Sequence, residues 1–194
     1  MTPIARTPRR HLYLAPREDA VYILRITLEA VEPPVWRRVR VSGLITLDRL
    51  DLVIQKAMGW QNVHLHEFEV GGKRYGQPEP DEPQYEVEPE WELTLRAAAP
   101  IEGARFRYVY DLGDGWGHEV LVEAIQASAG PLKHPVCLEG ERACPHEDSG
   151  GAPGYANLLD VLRDRSHPEH SEIRAWVGRG FDPERFDLAA VNRG

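Results

Sequence analysis

Residues 106–122 read FRYVYDLGDGWGHEVLV, and this stretch decides the fold. Phe106, Tyr108 and Tyr110 alternate along its first half, and His118, Val120 and Val122 along its second. Successive side chains on a strand point to opposite faces, so each half sets one row against a core. Residues 111–117 (DLGDGWG) hold three glycines, which let the backbone turn sharply or approach a ligand closely. Two alternating runs joined by a glycine-rich tip predict an antiparallel hairpin.

Working outward, residues 21–31 (VYILRITLEAV) and 35–41 (VWRRVRV) read as two more strands, broken by Pro33-Pro34. Thr46 is a helix N-cap, Leu47, Leu50, Ile54 and Ala57 follow at helical spacing, and Gly59 stops the helix. Residues 64–70 (HLHEFEV) alternate again, and Gly71-Gly72 signals a tight turn into a return strand at Lys73. Period two puts His64, His66, Phe68 and Val70 on one face, with Leu65, Glu67 and Glu69 on the other. Residues 77–90 (QPEPDEPQYEVEPE) are acids and prolines without Lys or Arg, a solvated loop. Residues 130–153 read as irregular. Tyr155, Leu158, Leu159 and Leu162 then mark one amphipathic helix, residues 169–177 a second, and Phe181 opens a short third segment. The expected fold class is α+β: an antiparallel sheet from Val21 to about Ile125, one helix packed on it, and a helical C-terminal third. Residues 1–17, polar and rich in Arg and Pro, are expected to form a flexible arm, and residues 18–194 a single domain.

The formal net charge of −8 argues against non-specific nucleic-acid binding, which draws on Lys and Arg. The cations of Arg37, Arg38 and Arg40 read as the exposed row of a strand. No apolar run is long enough to span a bilayer, and no signal sequence follows Arg6, Arg9 and Arg10, so the expectation is a cytoplasmic protein with no membrane partner. Two cysteines in a reducing compartment do not suggest a structural disulfide.

Three polar signatures interrupt the strand pattern: HLHEF at 64–68, DLGDGWGH at 111–118 and CLEGERACPHEDSGG at 137–151. Together they supply a candidate ligand pocket of His64, His66, Glu67, Asp111, Asp114, Trp116, His118 and Asp148. Zn²⁺ prefers thiolate and imidazole in tetrahedral arrangements, so Cys137, Cys144, His66 and His118 are the candidate metal ligands, with His146 and Asp148 as further donors. Zinc is the expected cofactor if there is one. The spacing of the cysteines is wider than the usual knuckle, and the competing reading makes both small buried hydrophobes. It likewise makes Asp111 and Asp114 turn residues bonded to nearby backbone. Ser149 lacks the strand–Ser–helix setting of an acyl-transfer nucleophile.

Five blocks carry a family resemblance: PPVWRR (33–38), GW-x-x-x-HLHEF (59–68), YDLGDGWGHE (110–119), CLEGERACPHEDSGGAPGY (137–155) and FDPERFDLAAVNR (181–193). In this order they resemble the plasmid pRiA4b ORF-3-like family, associated with mobile elements. The resemblance implies a compact α+β fold and no assigned activity. Where the family often has a cysteine before the double glycine, this chain has Ser149. Where it often has a second proline, this chain has His146. A site built on a third thiolate would be weakened or rebuilt here.

The resulting expectation is a binding module with a polar His/Asp/Cys pocket, taking a small ligand or a protein partner. An accessory or regulatory role linked to mobile elements is implied by the resemblance alone. Two alternatives stand beside it. One is a metal-dependent hydrolase of a phosphoester or similar bond, with Glu67 or Asp111 as base and His66 and His118 holding the metal (catalytic candidates Glu67, Asp111 and His118). The other is a metal-free protein-interaction module using Trp60, Trp116 or the acidic loop as its surface.

Overall fold

The computed structural model of the protein describes residues 20–78, 86–128 and 130–193. The expected arm at 1–17 lies outside these residues, as does the middle of the acidic loop. Eight strands form one sheet: β1 (Val21–Leu28), β2 (Trp36–Ser42), β3 (His66–Val70), β4 (Lys73–Gly76), β5 (Glu88–Pro89), β6 (Arg105–Tyr110), β7 (Trp116–Gln126) and β8 (Val136–Glu141). The helices are α1 (Leu47–Met58), α2 (Leu95–Ala98), α3 (Gly151–Arg163), α4 (His170–Val177) and α5 (Leu188–Arg193). The strand order is β5-β4-β3-β6-β7-β1-β2-β8.

The hairpin at residues 106–122 is the centre of this sheet, with Tyr108 opposite His118 and Tyr110 opposite Trp116. β1 pairs with β7 and then with β2, as the two apolar runs at the N-terminus require. Tyr22, Leu24, Ile26, Val39, Phe68, Tyr108 and Val120 are fully buried and share one cluster with Leu47, Leu50 and Ile54 of α1. Burying each of these leucine or isoleucine side chains is worth roughly 1.5–3 kcal/mol. Thr46 stands at the N-cap, but its side chain makes no capping bond. Leu47 N–H instead bonds Leu93 O at 3.0 Å, and Thr46 bridges Thr94. Gly59 ends α1 at φ 100°, a left-handed conformation that suits glycine.

Three features differ from the sequence reading. The sheet is mixed rather than antiparallel, because β5 adds to β4 in parallel. The sheet also continues past Ile125: β8 adds to the β2 edge, antiparallel. Its residues, VCLEGE, do not alternate cleanly, and a register shift between Arg38 and Val39 breaks the period further. Finally, the C-terminal third is only partly helical. It begins with β8, and its three helices of 13, 8 and 6 residues are separated by turns. Among the described residues, no helix is long and apolar enough to cross a membrane.

Candidate functional site

The three polar signatures meet at the end of β6. In the hairpin tip, Asp111 adopts φ 54°, and its Oδ1 accepts hydrogen bonds from Gly113 N–H at 3.0 Å and Asp114 N–H at 3.2 Å. This closes the turn through the side chain and leaves Oδ2 facing His64. Asp111 N–H bonds Leu65 O at 2.9 Å, joining the second signature to the first. Gly150 N–H bonds Asp114 Oδ2 at 3.0 Å, joining the third to the second. At Gly151, φ is +66°, and an added Cβ would collide with Asp114 O, so only glycine permits this approach.

Glu147 completes the seam from below. Its buried Oε1 accepts the Tyr110 hydroxyl at 2.7 Å and Gln61 N–H at 3.0 Å. Burial, helped by Glu147, pushes the Tyr110 phenol up to about 12, so it stays a donor. Trp60 Nε1 donates to Pro145 O at 3.0 Å, and the Ser149 hydroxyl to His146 O at 2.7 Å.

This framework sets His64 Nε2 3.0 Å from Asp148 Oδ1 and 3.6 Å from Asp111 Oδ2. The three donor atoms lie within 4.8 Å of one another. Asp111 is 8% exposed, His64 is half-buried and Asp148 exposed, so the group opens to solvent on the Asp148 side. Asp148, like Asp111, sits at positive φ, 59°. His64 Nε2 is itself buried and has no hydrogen-bond partner. At 3.0 Å the Asp148 oxygen is near enough but off the N–H direction. Two carboxylates and one imidazole make a donor set matched in charge and type to a divalent cation.

His66 does not join this group. Both imidazoles stand against tyrosines of β6, His64 against Tyr110 and His66 against Tyr108. His66 is held instead by Glu90 Oε2 at 2.8 Å and lies 3.5 Å from Asp51 Oδ1. Asp51 accepts the Tyr108 hydroxyl at 2.6 Å, and Tyr108 accepts from Gln55 Nε2 at 2.8 Å. Burial pulls the His66 pKa down, but the Glu90 hydrogen bond and the Asp51 charge outweigh it and the net shift is upward. Burial raises Asp51, and the His66 charge opposes it. The sequence reading missed Asp51, Gln55 and Glu90. Asp51 had a signal: it falls between Leu50 and Ile54 on the apolar stripe of α1, where a charge must be paired.

The remaining candidates are dispersed. Glu67 is buried on β3 with Arg74 Nη1 3.4 Å away. Trp116 and Trp60 are buried, so neither offers a contact surface. Trp116 plugs the core, its ring 6.1 Å from that of Trp60. His118 is fully buried on the inner face of β7, edge-on to Trp60 at 5.3 Å. Burial pushes its pKa down to about 3, so it is neutral. Cys137 lies on the β8 edge, its backbone clamped by Asn192. The Cys144 thiol is pushed well up by burial. His146 packs against Trp176, the rings tilted with centroids 4.6 Å apart. Among the described residues, His64, Asp111 and Asp148 form the group whose donor atoms converge. Cys137, Cys144, His66 and His118 do not, because each is held by a different part of the core or edge.

The comparisons agree with this architecture. A family model described as plasmid pRiA4b ORF-3-like protein matches residues 20–190, a span that contains all three signatures. An uncharacterized protein of Sinorhizobium fredii, y4hQ, is 38% identical over 174 residues, covering 89% of this chain and 87% of its own. The crystal structure of a protein of unknown function from Methanosarcina mazei Go1, MM3350, superposes with a TM-score of 0.79 at 34% identity. That match covers 89% of this chain and 98% of the other.

Proposed function

We propose that this chain, which belongs to the plasmid pRiA4b ORF-3-like family, is a binding module that holds a divalent cation between His64, Asp111 and Asp148. The observation that carries this reading is the convergence of three donor atoms from three separate segments within 4.8 Å. The unpartnered His64 Nε2 supports it: an imidazole nitrogen close to two carboxylates yet aligned with neither is set to bind a third body. Asp111 serves both turn and site, since Oδ1 closes the tip and Oδ2 faces His64. The protein supplies three ligands, so water or a partner group completes the coordination. One nitrogen and two oxygens suit Zn²⁺ or Mn²⁺ better than the all-oxygen preferences of Ca²⁺ and Mg²⁺. The module belongs to the cytoplasm in this reading, and the family's plasmid association supports an accessory or regulatory role.

The test is calorimetric titration of the full chain with Zn²⁺ and Mn²⁺, beside His64→Ala and Asp148→Asn. One ion per chain is expected, weakened by about tenfold or more in each variant with an unchanged circular dichroism spectrum. Absence of a stoichiometric site for either ion, or binding indifferent to both substitutions, refutes the reading.

A further inference from the structure

His64, Asp111 and Asp148 all lie outside the helices and strands. A site that binds selectively needs its donors held to within about 0.5 Å, and loops do not supply that by themselves. Supporting side chains must do so. The three loops here share one such group, the hydroxyl of Tyr110.

Tyr110 is the last residue of β6 and is fully buried. Strand alternation sets it on the same face as Tyr108, two residues earlier. The two phenols bond differently. Tyr108 donates to Asp51 Oδ1 at 2.6 Å and accepts from Gln55 Nε2 at 2.8 Å, both on α1. Tyr110 accepts Val63 N–H at 3.1 Å and donates to Glu147 Oε1 at 2.7 Å. Val63 precedes His64, Glu147 precedes Asp148, and Tyr110 itself precedes Asp111. One phenol therefore joins the chain one residue before each of the three donors.

His64 is bracketed as a result. Val63 on one side is bonded to Tyr110, and Leu65 O on the other accepts Asp111 N–H at 2.9 Å. The imidazole stands edge-on to the Tyr110 ring, with centroids 5.8 Å apart. Glu147 Oε1 also accepts Gln61 N–H at 3.0 Å, so residues 61 and 63 both hang on the Tyr110–Glu147 pair. The seam has support besides the hydroxyl: the Trp60 ring lies 4.9 Å from that of Tyr110, and its Nε1 donates to Pro145 O at 3.0 Å. Loss of the hydroxyl alone should loosen the three loops without undoing the fold.

We propose that Tyr110 is the positioning residue of the His64–Asp111–Asp148 site, its hydroxyl setting the three loops at the spacing a cation requires. It acts through the ligands and is not one of them. The inference rests on the cation-binding reading above and names the group on which that site's affinity depends.

The test is calorimetric titration of the full chain with Zn²⁺, with the visible absorption of bound Co²⁺ as a second readout of ligand geometry. Tyr110→Phe keeps the ring against Trp60 and His64 and removes one oxygen. It should weaken Zn²⁺ binding by about 10–100-fold and alter the Co²⁺ spectrum, with unchanged circular dichroism. Tyr108→Phe removes the same kind of buried hydroxyl from the same strand face, and should keep the wild-type affinity and spectrum. Glu147→Ala breaks the Tyr110 bond from the loop side and should lose affinity as Tyr110→Phe does, which keeps the test open if Tyr110→Phe does not fold. Glu147→Gln, the conservative variant that retains the acceptor oxygen, should restore most of that loss. Equal affinity in the wild type and Tyr110→Phe overturns this inference and leaves the cation site standing. Equal losses in Tyr108→Phe and Tyr110→Phe overturn it as well, since a general loosening of the core then explains both. A Glu147→Gln variant as weak as Glu147→Ala assigns the effect to the carboxylate charge, against positioning. A wild type without a stoichiometric ion removes the site itself, and this inference with it.

Discussion

Replacing Arg37 by leucine should cost this protein a large part of its stability, although the residue is remote from the His64 group. Arg37 lies on β2 at 1% exposure. Its Nε donates to Ala57 O at the end of α1 at 2.8 Å, and its Nη1 to Trp36 O and Glu141 O, each at 2.8 Å. The guanidinium also stacks on Phe186 at 4.2 Å. One side chain therefore ties α1, β2, β8 and the segment before α5 together. Burial lowers its pKa, with the neighbouring thiols Cys144 and Cys137 opposing, yet it stays charged since arginine starts so high. Three hydrogen bonds from a cation, at about 1.5 kcal/mol each, give roughly 4–5 kcal/mol. Relief of the buried charge returns part of this, leaving a net loss of about 3 kcal/mol. With a urea m-value of about 2 kcal/mol/M, the unfolding midpoint should fall by roughly 1.5 M. Arg37→Lys should fall almost as far, because one ammonium cannot reach carbonyls on three elements. The assay is urea unfolding followed by tryptophan fluorescence. A midpoint shift under about 0.5 M for leucine, or a lysine variant matching the wild type, refutes the argument. Gly140→Ala probes the same joint, since its Cβ would lie 2.8 Å from Phe186 Cε1 and 2.9 Å from Arg37 Cδ. It should destabilise alone and be less than additive with Arg37→Leu.

The half-buried His66 and the fully buried His118 should act on pH stability with opposite signs. His66 holds its proton more tightly when folded, so its contribution is complete below its ordinary value of 6.5 and is lost as pH rises through the folded value. His66→Gln should flatten the fall in stability as pH rises above 6.5, and an unchanged slope there counts against the Glu90–His66–Asp51 network. His118 behaves in reverse. With its folded pKa pushed down to about 3 by burial, stability is full above 6.5 and declines as pH falls below it. Its imidazole NMR signals should show no titration between about pH 8 and 5, and a midpoint inside that range refutes its placement. Both thiols are raised by burial and should resist Ellman's reagent at about pH 8 until the chain unfolds. Rapid native-state modification of Cys144 is the opposing result. Gly154→Ala places a Cβ against Ser149 O and should cost about 1–3 kcal/mol while weakening Zn²⁺ binding, because it displaces Asp148. Unaltered metal affinity in that variant means the third signature does not hold the ion.

The sequence by itself determined the central hairpin, the β1–β2 pair, α1 and the β3–β4 return. Each carries a local period of two or of helical spacing, ended by proline or glycine, and local periods survive any tertiary arrangement. It also marked the three signatures as places where polar groups displace strand residues. Three things needed the tertiary structure. β8 was invisible because an edge strand with a register shift and only Cys137 buried has no clean alternation. The parallel β5 was invisible because two residues carry no period at all. The choice among donors was invisible because His64 and His66 are equivalent on the strand pattern. Only the approach of Asp148, through the Asp114–Gly150 and Glu147–Tyr110 hydrogen bonds, gives His64 its two carboxylates, while Asp51 on α1 and Glu90 take His66 for the core. Which imidazole is left with an unpartnered nitrogen beside two carboxylates is a property of long-range contacts, and a chain read residue by residue contains the partners but not their distances.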